Sequence, residues 1–162
     1  MKKDINNLSL TAVCDGEVIS VEDVEDIIFS KKMIGDGYAI LPKNGKIYSP
    51  VDGLINEVAA TKHAYYINLD DDNKILIHIG EDTLLLNGRG FTVNVENGMK
   101  VSKGDLLGTV DLDLMKKENH TIVISIIFLY NSENVVEVRT YPQKDAKAVE
   151  TLACDIKYKS LQ

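Results

Sequence analysis

Turn-forming pairs recur along this chain too often to leave room for long helices: Asp15-Gly16, Asn44-Gly45, Asp52-Gly53, Asn97-Gly98 and Gly104-Asp105. Glycine reaches left-handed torsions without a Cβ penalty, and Asn and Asp bond to their own backbone, so each pair closes a tight turn. The intervening runs are short and rich in Ile, Val and Leu, and neither a βαβ alternation nor an interdomain linker appears. Such spacing predicts an all-β, largely antiparallel β-sandwich of the barrel-sandwich type. One or two short helical turns fit within it, at Asp26–Phe29 and at Leu112–Asn119. A first hairpin is expected from Leu10–Cys14 into Glu17–Ser20, and Asn44-Gly45 should turn a second into Lys46–Ser49. Asn131-Ser132-Glu133-Asn134 should turn the long strand Thr121–Tyr130 into Val135–Arg139, and Thr151–Tyr158 reads as a closing strand.

The most informative stretch is Thr61–Thr83, TKHAYYINLDDDNKILIHIGEDT. His63, Tyr65 and Ile67 alternate with Ala64, Tyr66 and Asn68, the period of a strand. Asp70-Asp71-Asp72-Asn73 interrupts the pattern as a turn. Alternation then resumes, with Ile75, Ile77 and Ile79 on one face and Leu76 and His78 on the other. A turn closing at Leu69–Asp72 sets His63 directly across from His78; one closing at Asp70–Asn73 makes them diagonal neighbours. Opposed Cβ atoms stand ~5 Å apart and diagonal ones ~7–8 Å, so either register joins the imidazoles.

Composition narrows the setting. A net charge of -7 argues against a nucleic-acid surface, which needs clustered Lys and Arg. The longest apolar run, Ile122–Tyr130, contains Ser125 and is far short of the ~18 residues that span a bilayer. The start, MKKDINNLSL, lacks the apolar core of a signal peptide, so a cytoplasmic location is expected without direct membrane insertion. Cys14 and Cys154 are too few for a disulfide scaffold and read as reduced packing residues.

Three chemistries suit the histidine pair. It can be two satisfied histidines in a sandwich. It can be a metal site, with Asp36 or Asp82 as a third ligand, since zinc wants three or four; a zinc hydrolase would be expected to show a third histidine or His-Glu-x-x-His. Or it can carry phosphate, one neutral imidazole attacking a phosphoryl group while the other steadies its oxygens. His120, at the end of the Leu112–Asn119 helix, reads as a helix cap or dipole partner.

A set of motifs in order now bears on the choice. They are Asp15-Gly16-Glu17-Val18, Met33-Ile34-Gly35-Asp36-Gly37-Tyr38-Ala39-Ile40 and Ser49-Pro50-Val51-Asp52-Gly53. Thr61-Lys62-His63-Ala64, Ile77-His78-Ile79-Gly80-Glu81-Asp82-Thr83, Gly88-Arg89-Gly90-Phe91 and Glu150-Thr151 follow. In these the chain resembles the glucose-type enzyme IIA component of the bacterial phosphoenolpyruvate-dependent sugar phosphotransferase system. The likeness implies one domain over 10–159, leaving 1–9 as a flexible N-terminal segment and 160–162 as a tail.

By that resemblance His78 is the phosphoacceptor, His63 supports transfer, the Thr61 hydroxyl orients the pair, and the Gly80 carbonyl fixes the His78 tautomer. It implies a phosphohistidine carrier protein as donor and a sugar-specific IIB domain as acceptor. No cofactor is required, and zinc would bind His63 and His78 only with ligands from a partner. The partner surface is expected to comprise Ile34, Leu76, Ile79 and Leu84 around a shallow depression, edged by Asp36, Asp82 and Glu81. Glu81 stands where the family has an apolar, partner-facing residue. Arg89 and the lengthened late strand depart from the pattern too. An alternative role is a regulatory IIA-like module whose phosphorylation state controls a permease or kinase.

Overall fold

The computed structural model describes residues 3–120, 122–129 and 134–161. Along the chain come strands β1 (Lys3–Thr11) and β2 (Gly16–Ser20), a 3-10 turn (Val21–Asp23) and helix α1 (Ile27–Ser30). Then follow β3 (Gly35–Pro42), β4 (Lys46–Tyr48), β5 (Gly53–Val58), β6 (Ala64–Asn68) and β7 (Lys74–Ile79). A second 3-10 turn (Thr83–Leu86) leads to β8 (Phe91–Val93), β9 (Lys100–Val101), β10 (Leu106–Val110) and helix α2 (Leu112–Lys117). The chain ends with β11 (Ile124–Leu129), β12 (Val135–Thr140), β13 (Gln143–Ala146) and β14 (Leu152–Leu161).

The large sheet runs β13-β2-β3-β11-β7-β6-β5-β9, and two smaller sheets run β1-β14-β12 and β4-β10-β8. All recorded pairings are antiparallel. The expected all-β sandwich is the fold observed, and both predicted helical turns form.

Alternation decides what each face of the large sheet meets. Tyr38, Ile40, Ile126, Ile75, Ile77, Ile79, Tyr65 and Ile67 point inward to the main core shared with the small sheets. Ala39, Ile127, Leu76 and Ala64 point to the other face, where they form a second cluster with Val21, Val24 and Phe29. The segment around α1 thus lies over the outer face of the sheet rather than in solvent. Asp26 caps α1, its side chain accepting from the Ile28 amide, and this fixes where the Phe29 ring is delivered.

Several strand expectations change. The segment 1–9, expected to be flexible, contributes most of β1, which pairs with β14 from Lys3↔Leu161 to Thr11↔Leu152 and so also orders part of the expected 160–162 tail. Backbone pairing across the whole chain, with Leu10 buried in the core, outweighs the polar composition of DINN. The first hairpin is absent because β2 pairs with β3 and β13, not with β1. Likewise β4 joins β10, so Asn44-Gly45 connects two sheets instead of closing a hairpin. The long late strand is described from Ile124 to Leu129; Thr121, Tyr130 and the turn residues Asn131, Ser132 and Glu133 lie outside the described residues.

Candidate functional site

The histidine hairpin forms, but with neither expected register. Ala64 faces His78, Tyr65 faces Ile77 and Asn68 faces Lys74, so the connection Leu69–Asn73 holds an odd number of residues. The Leu69 amide bonds to the Asn73 carbonyl at 2.9 Å across it. Inside this loop Asp70 Oδ1 accepts from the amides of Asp72 (2.8 Å) and Asn73 (2.9 Å), and Asn73 is fully buried. An Asx-type turn widened by one residue therefore replaced the four-residue turn that the polar stretch suggested.

The imidazoles meet nonetheless. His63 stands just outside β6, after Lys62 in a left-handed conformation (φ 61), which frees its ring from the strand's alternation. Its carbonyl accepts from the Ile79 amide at 2.8 Å. The His63 and His78 ring centroids are 5.0 Å apart, edge to face at 85°. His78 shares its cross-sheet row with Ala64 on one side and Ser125 and Ala39 on the other. Three small side chains leave a well in the outer face, and the Phe29 ring closes one wall of it, 5.1 Å from His78. Both histidines keep part of their surface exposed.

This placement tunes the rings. Burial lowers the His78 pKa to about 4, and the neighbouring His63 adds to the shift; Asp26 and a backbone hydrogen bond to Gly80 oppose it. Burial likewise lowers His63. His63 Nδ1 lies 2.6 Å from the Thr61 hydroxyl. Two neutral imidazoles result, one backed by a hydroxyl and one by a backbone group. Such a ring has one nitrogen free as a nucleophile.

Gly80 (φ 76) and Asp82 (φ 54) are both left-handed, so the chain turns sharply after His78. The Gly80 amide bonds to the Val123 carbonyl at 2.7 Å, and the Thr83 hydroxyl donates to the Ile79 carbonyl.

The expected rim is partly redrawn. Ile34 (39% exposed) and Leu84 (56%) are open to partners. Ile79 is not, because its parity puts it in the main core, and Leu76 is covered by the segment that carries Phe29. Ile27, Ile28, Met33 and Leu85 take their place as exposed apolar side chains on the segments flanking the histidines.

The acidic edge changes too. Asp36 sits in the row of Phe128 and Ile75, and its carboxylate is held by Lys32 (3.5 Å) and its neighbour's amide (2.8 Å). The carboxylate acting on His78 is that of Asp26, which sequence reasoning passed over. Its cap pattern, Asp followed by Ile-Ile-Phe, was the available signal. Glu81, expected to face partners, turns inward: its Oε1 accepts from the Asp26 amide at 3.2 Å. Burial raises its pKa, and Glu25, Asp26 and Asp82 push the same way against the Asp26 amide bond. Among the described residues no group of three His, Cys, Asp or Glu is placed to hold a metal ion, so the pair alone would offer two ligands.

Residues 8–135 match the model of the phosphoenolpyruvate-dependent sugar phosphotransferase system, EIIA 1 family. The chain belongs to that family. It is 38% identical over 92% of its length to the PTS system glucose-specific EIIA component of Oceanobacillus iheyensis, covering 90% of that protein. It is 46% identical over 116 residues to the PTS system glucose-specific EIICBA component of Streptococcus pneumoniae, of which it spans only 16%. The solved glucose permease IIA from Mycoplasma capricolum superposes with a TM-score of 0.81 at 37% identity, covering 92% of this chain and 96% of that one. The protein is thus a phosphotransferase component and phosphocarrier of sugar uptake. Among the described residues no helix is long and apolar enough to cross a membrane.

Proposed function

We propose that His78 accepts the phosphoryl group from a phosphohistidine carrier protein and passes it to a IIB domain during uptake of a sugar of the glucose type. The observation that carries this is the pair itself: two neutral imidazoles 5.0 Å apart, each keeping part of its surface exposed. As the donor's phosphorus–nitrogen bond breaks, a bond forms from phosphorus to the free nitrogen of His78, and the electron pair stays on the donor ring. Gly80 holds the other His78 nitrogen, which settles the tautomer. Thr61 Oγ1 lies 2.6 Å from His63 Nδ1; in the tautomer that serves transfer the hydroxyl donates to Nδ1, and Nε2–H bonds a phosphoryl oxygen. Little else is needed, since phosphoryl transfer depends chiefly on positioning and electrostatics.

The names of the relatives support the sugar class, and the fused EIICBA relative supports a IIB domain as recipient. Docking uses Ile34 and Leu84 with the apolar side chains beside them, and Asp82 at the charged edge. Asp36, already paired with Lys32, contributes less. Zinc would bind across His63 and His78 only when a docked partner completes the ligand set. Incubation with phosphoenolpyruvate and the purified general components should label the wild type, and His78→Gln should remain unlabelled. Equal labelling of the two would refute the assignment.

A further inference from the structure

His120 is the one histidine that the phosphocarrier reading leaves unused. It follows α2, and its amide is anchored to the Met115 carbonyl at 3.0 Å. Its ring crosses to the loop after His78, where Nδ1 lies 3.3 Å from the Glu81 carbonyl oxygen. A carbonyl only accepts, so Nδ1 carries the hydrogen.

The loop it reaches takes a strained path that hydrogen bonds hold from both sides. Glu81 lies between the left-handed residues Gly80 and Asp82, a conformation that an aspartate adopts at a cost. From the α2–β11 connector two bonds cross to it: Val123 accepts from the Gly80 amide and His120 donates to the Glu81 carbonyl. From the other side the Glu81 carboxylate grips the Asp26 amide at the head of α1, the helix that packs Phe29 on His78. Glu81 is therefore held at both ends.

We propose that His120 is a positioning residue for phosphoryl transfer: by donating to the Glu81 carbonyl it fixes the loop that presents Gly80 to the His78 ring. It touches neither phosphate nor partner. The inference rests on His78 being the acceptor, and it extends that reading to a residue outside the pair. A side chain tying the loop from behind should alter ring alignment in every transfer, whichever donor is used.

The test compares His120→Leu, which cannot donate, with His120→Asn, whose amide can replace Nδ1–H. Both are labelled with phosphoramidate, a small donor that needs no docking, and with the phosphorylated carrier protein. The expected result is about a tenfold slower rate at saturation for His120→Leu with either donor, KM for the carrier unchanged within about twofold, and substantial rescue in His120→Asn. Ring nitrogen chemical shifts should show one His78 tautomer in the wild type and in His120→Asn, and a mixture in His120→Leu. If His120→Leu does not fold, His120→Gln, whose longer reach misplaces the donor, is compared with His120→Asn instead. Wild-type rates in the non-donating variant, or equal slowing in the donating and non-donating variants, would overturn the inference. Labelling of His78→Gln in the same assay would instead overturn the acceptor assignment itself.

Discussion

His78 combines the properties of a nucleophile with a site that disfavours its charge. Its pKa of about 4 sits below the ordinary value of 6.5, so the folded protein resists protonating it while the unfolded chain does not. Between those values the unfolded state binds more protons, and stability falls as pH drops from 6.5 towards 4, levelling below that. Above 6.5 the contribution is fully retained. The span corresponds to roughly 3 kcal/mol if His78 titrates alone. Urea denaturation across this window should therefore show a positive slope of stability with pH, flattened in His78→Gln; an unchanged slope in the variant would assign the acid sensitivity elsewhere. Labelling by phosphoramidate should stay level down to about pH 5 and decline towards pH 4 as the ring protonates. His63 has a different task. Gln at position 63 keeps a donor of similar reach, so His63→Gln should still take up phosphate. Onward transfer to a IIB domain should nonetheless drop by about 10²-fold, because the flexible amide does not hold its N–H where the rigid ring aims Nε2–H in the transition state. Equal loss of both steps would make His63 part of the acceptor rather than its support.

At the scale of elements, the loop Leu69–Asn73 and the segment around α1 decide whether the pair works. Asp70→Ala removes the acceptor that holds the amides of Asp72 and Asn73 and the buried Asn73 side chain. It should lower stability in urea denaturation by about 1–2 kcal/mol, while Asp71→Ala, at an exposed position, should change it by under about 0.5 kcal/mol. Phe29→Ala removes a wall of the His78 well. It should cost about 3 kcal/mol, at the lower end for a buried Phe because its cluster is peripheral, and move the His78 pKa up towards 6.5. Nuclear magnetic resonance titration of the ring would read that shift. These elements also show what was legible in the sequence. Turn pairs and alternation revealed a β-sandwich because they are local signals. The meeting of His63 with His78 was legible because a hairpin keeps it within one stretch. The register was not, since an Asp side chain can close four- or five-residue loops equally well. Nor was the burial of Leu76, the inward turn of Glu81 or the nearness of Asp26, all of which depend on α1 folding back over a sheet formed much later in the chain. The pairing of β1 with β14 joins the two ends of the sequence, and nothing local announces it.

For the molecule as a whole, charge sets how partners arrive. The chain carries a net charge of -7, and Glu25, Asp26, Glu81 and Asp82 are close enough to one another to raise the Glu81 pKa. They lie beside exposed apolar side chains of α1 and of the turn Thr83–Leu86, a combination suited to a carrier with basic residues around an apolar centre. The four carboxylates are not equivalent. The Glu81 carboxylate accepts from the Asp26 backbone amide and the Asp26 carboxylate from the Ile28 amide, whereas Asp82 makes no side-chain capping bond and is exposed. Asp36 is compensated by Lys32, which also bridges to Glu22 at 3.0 Å. Asp82→Asn should therefore slow association with the phosphorylated carrier by roughly two- to fivefold at low salt and leave dissociation nearly unchanged. Asp36→Asn should have a smaller effect, because the charge it removes is already offset by Lys32, which stays paired with Glu22. Raising ionic strength should slow wild-type association and shrink the gap between wild type and Asp82→Asn as the Debye length contracts. Stopped-flow association at several salt concentrations distinguishes the cases. A rate indifferent to salt, or an Asp36→Asn effect exceeding that of Asp82→Asn, would show that long-range attraction does not guide this encounter and that the apolar side chains alone select the partner.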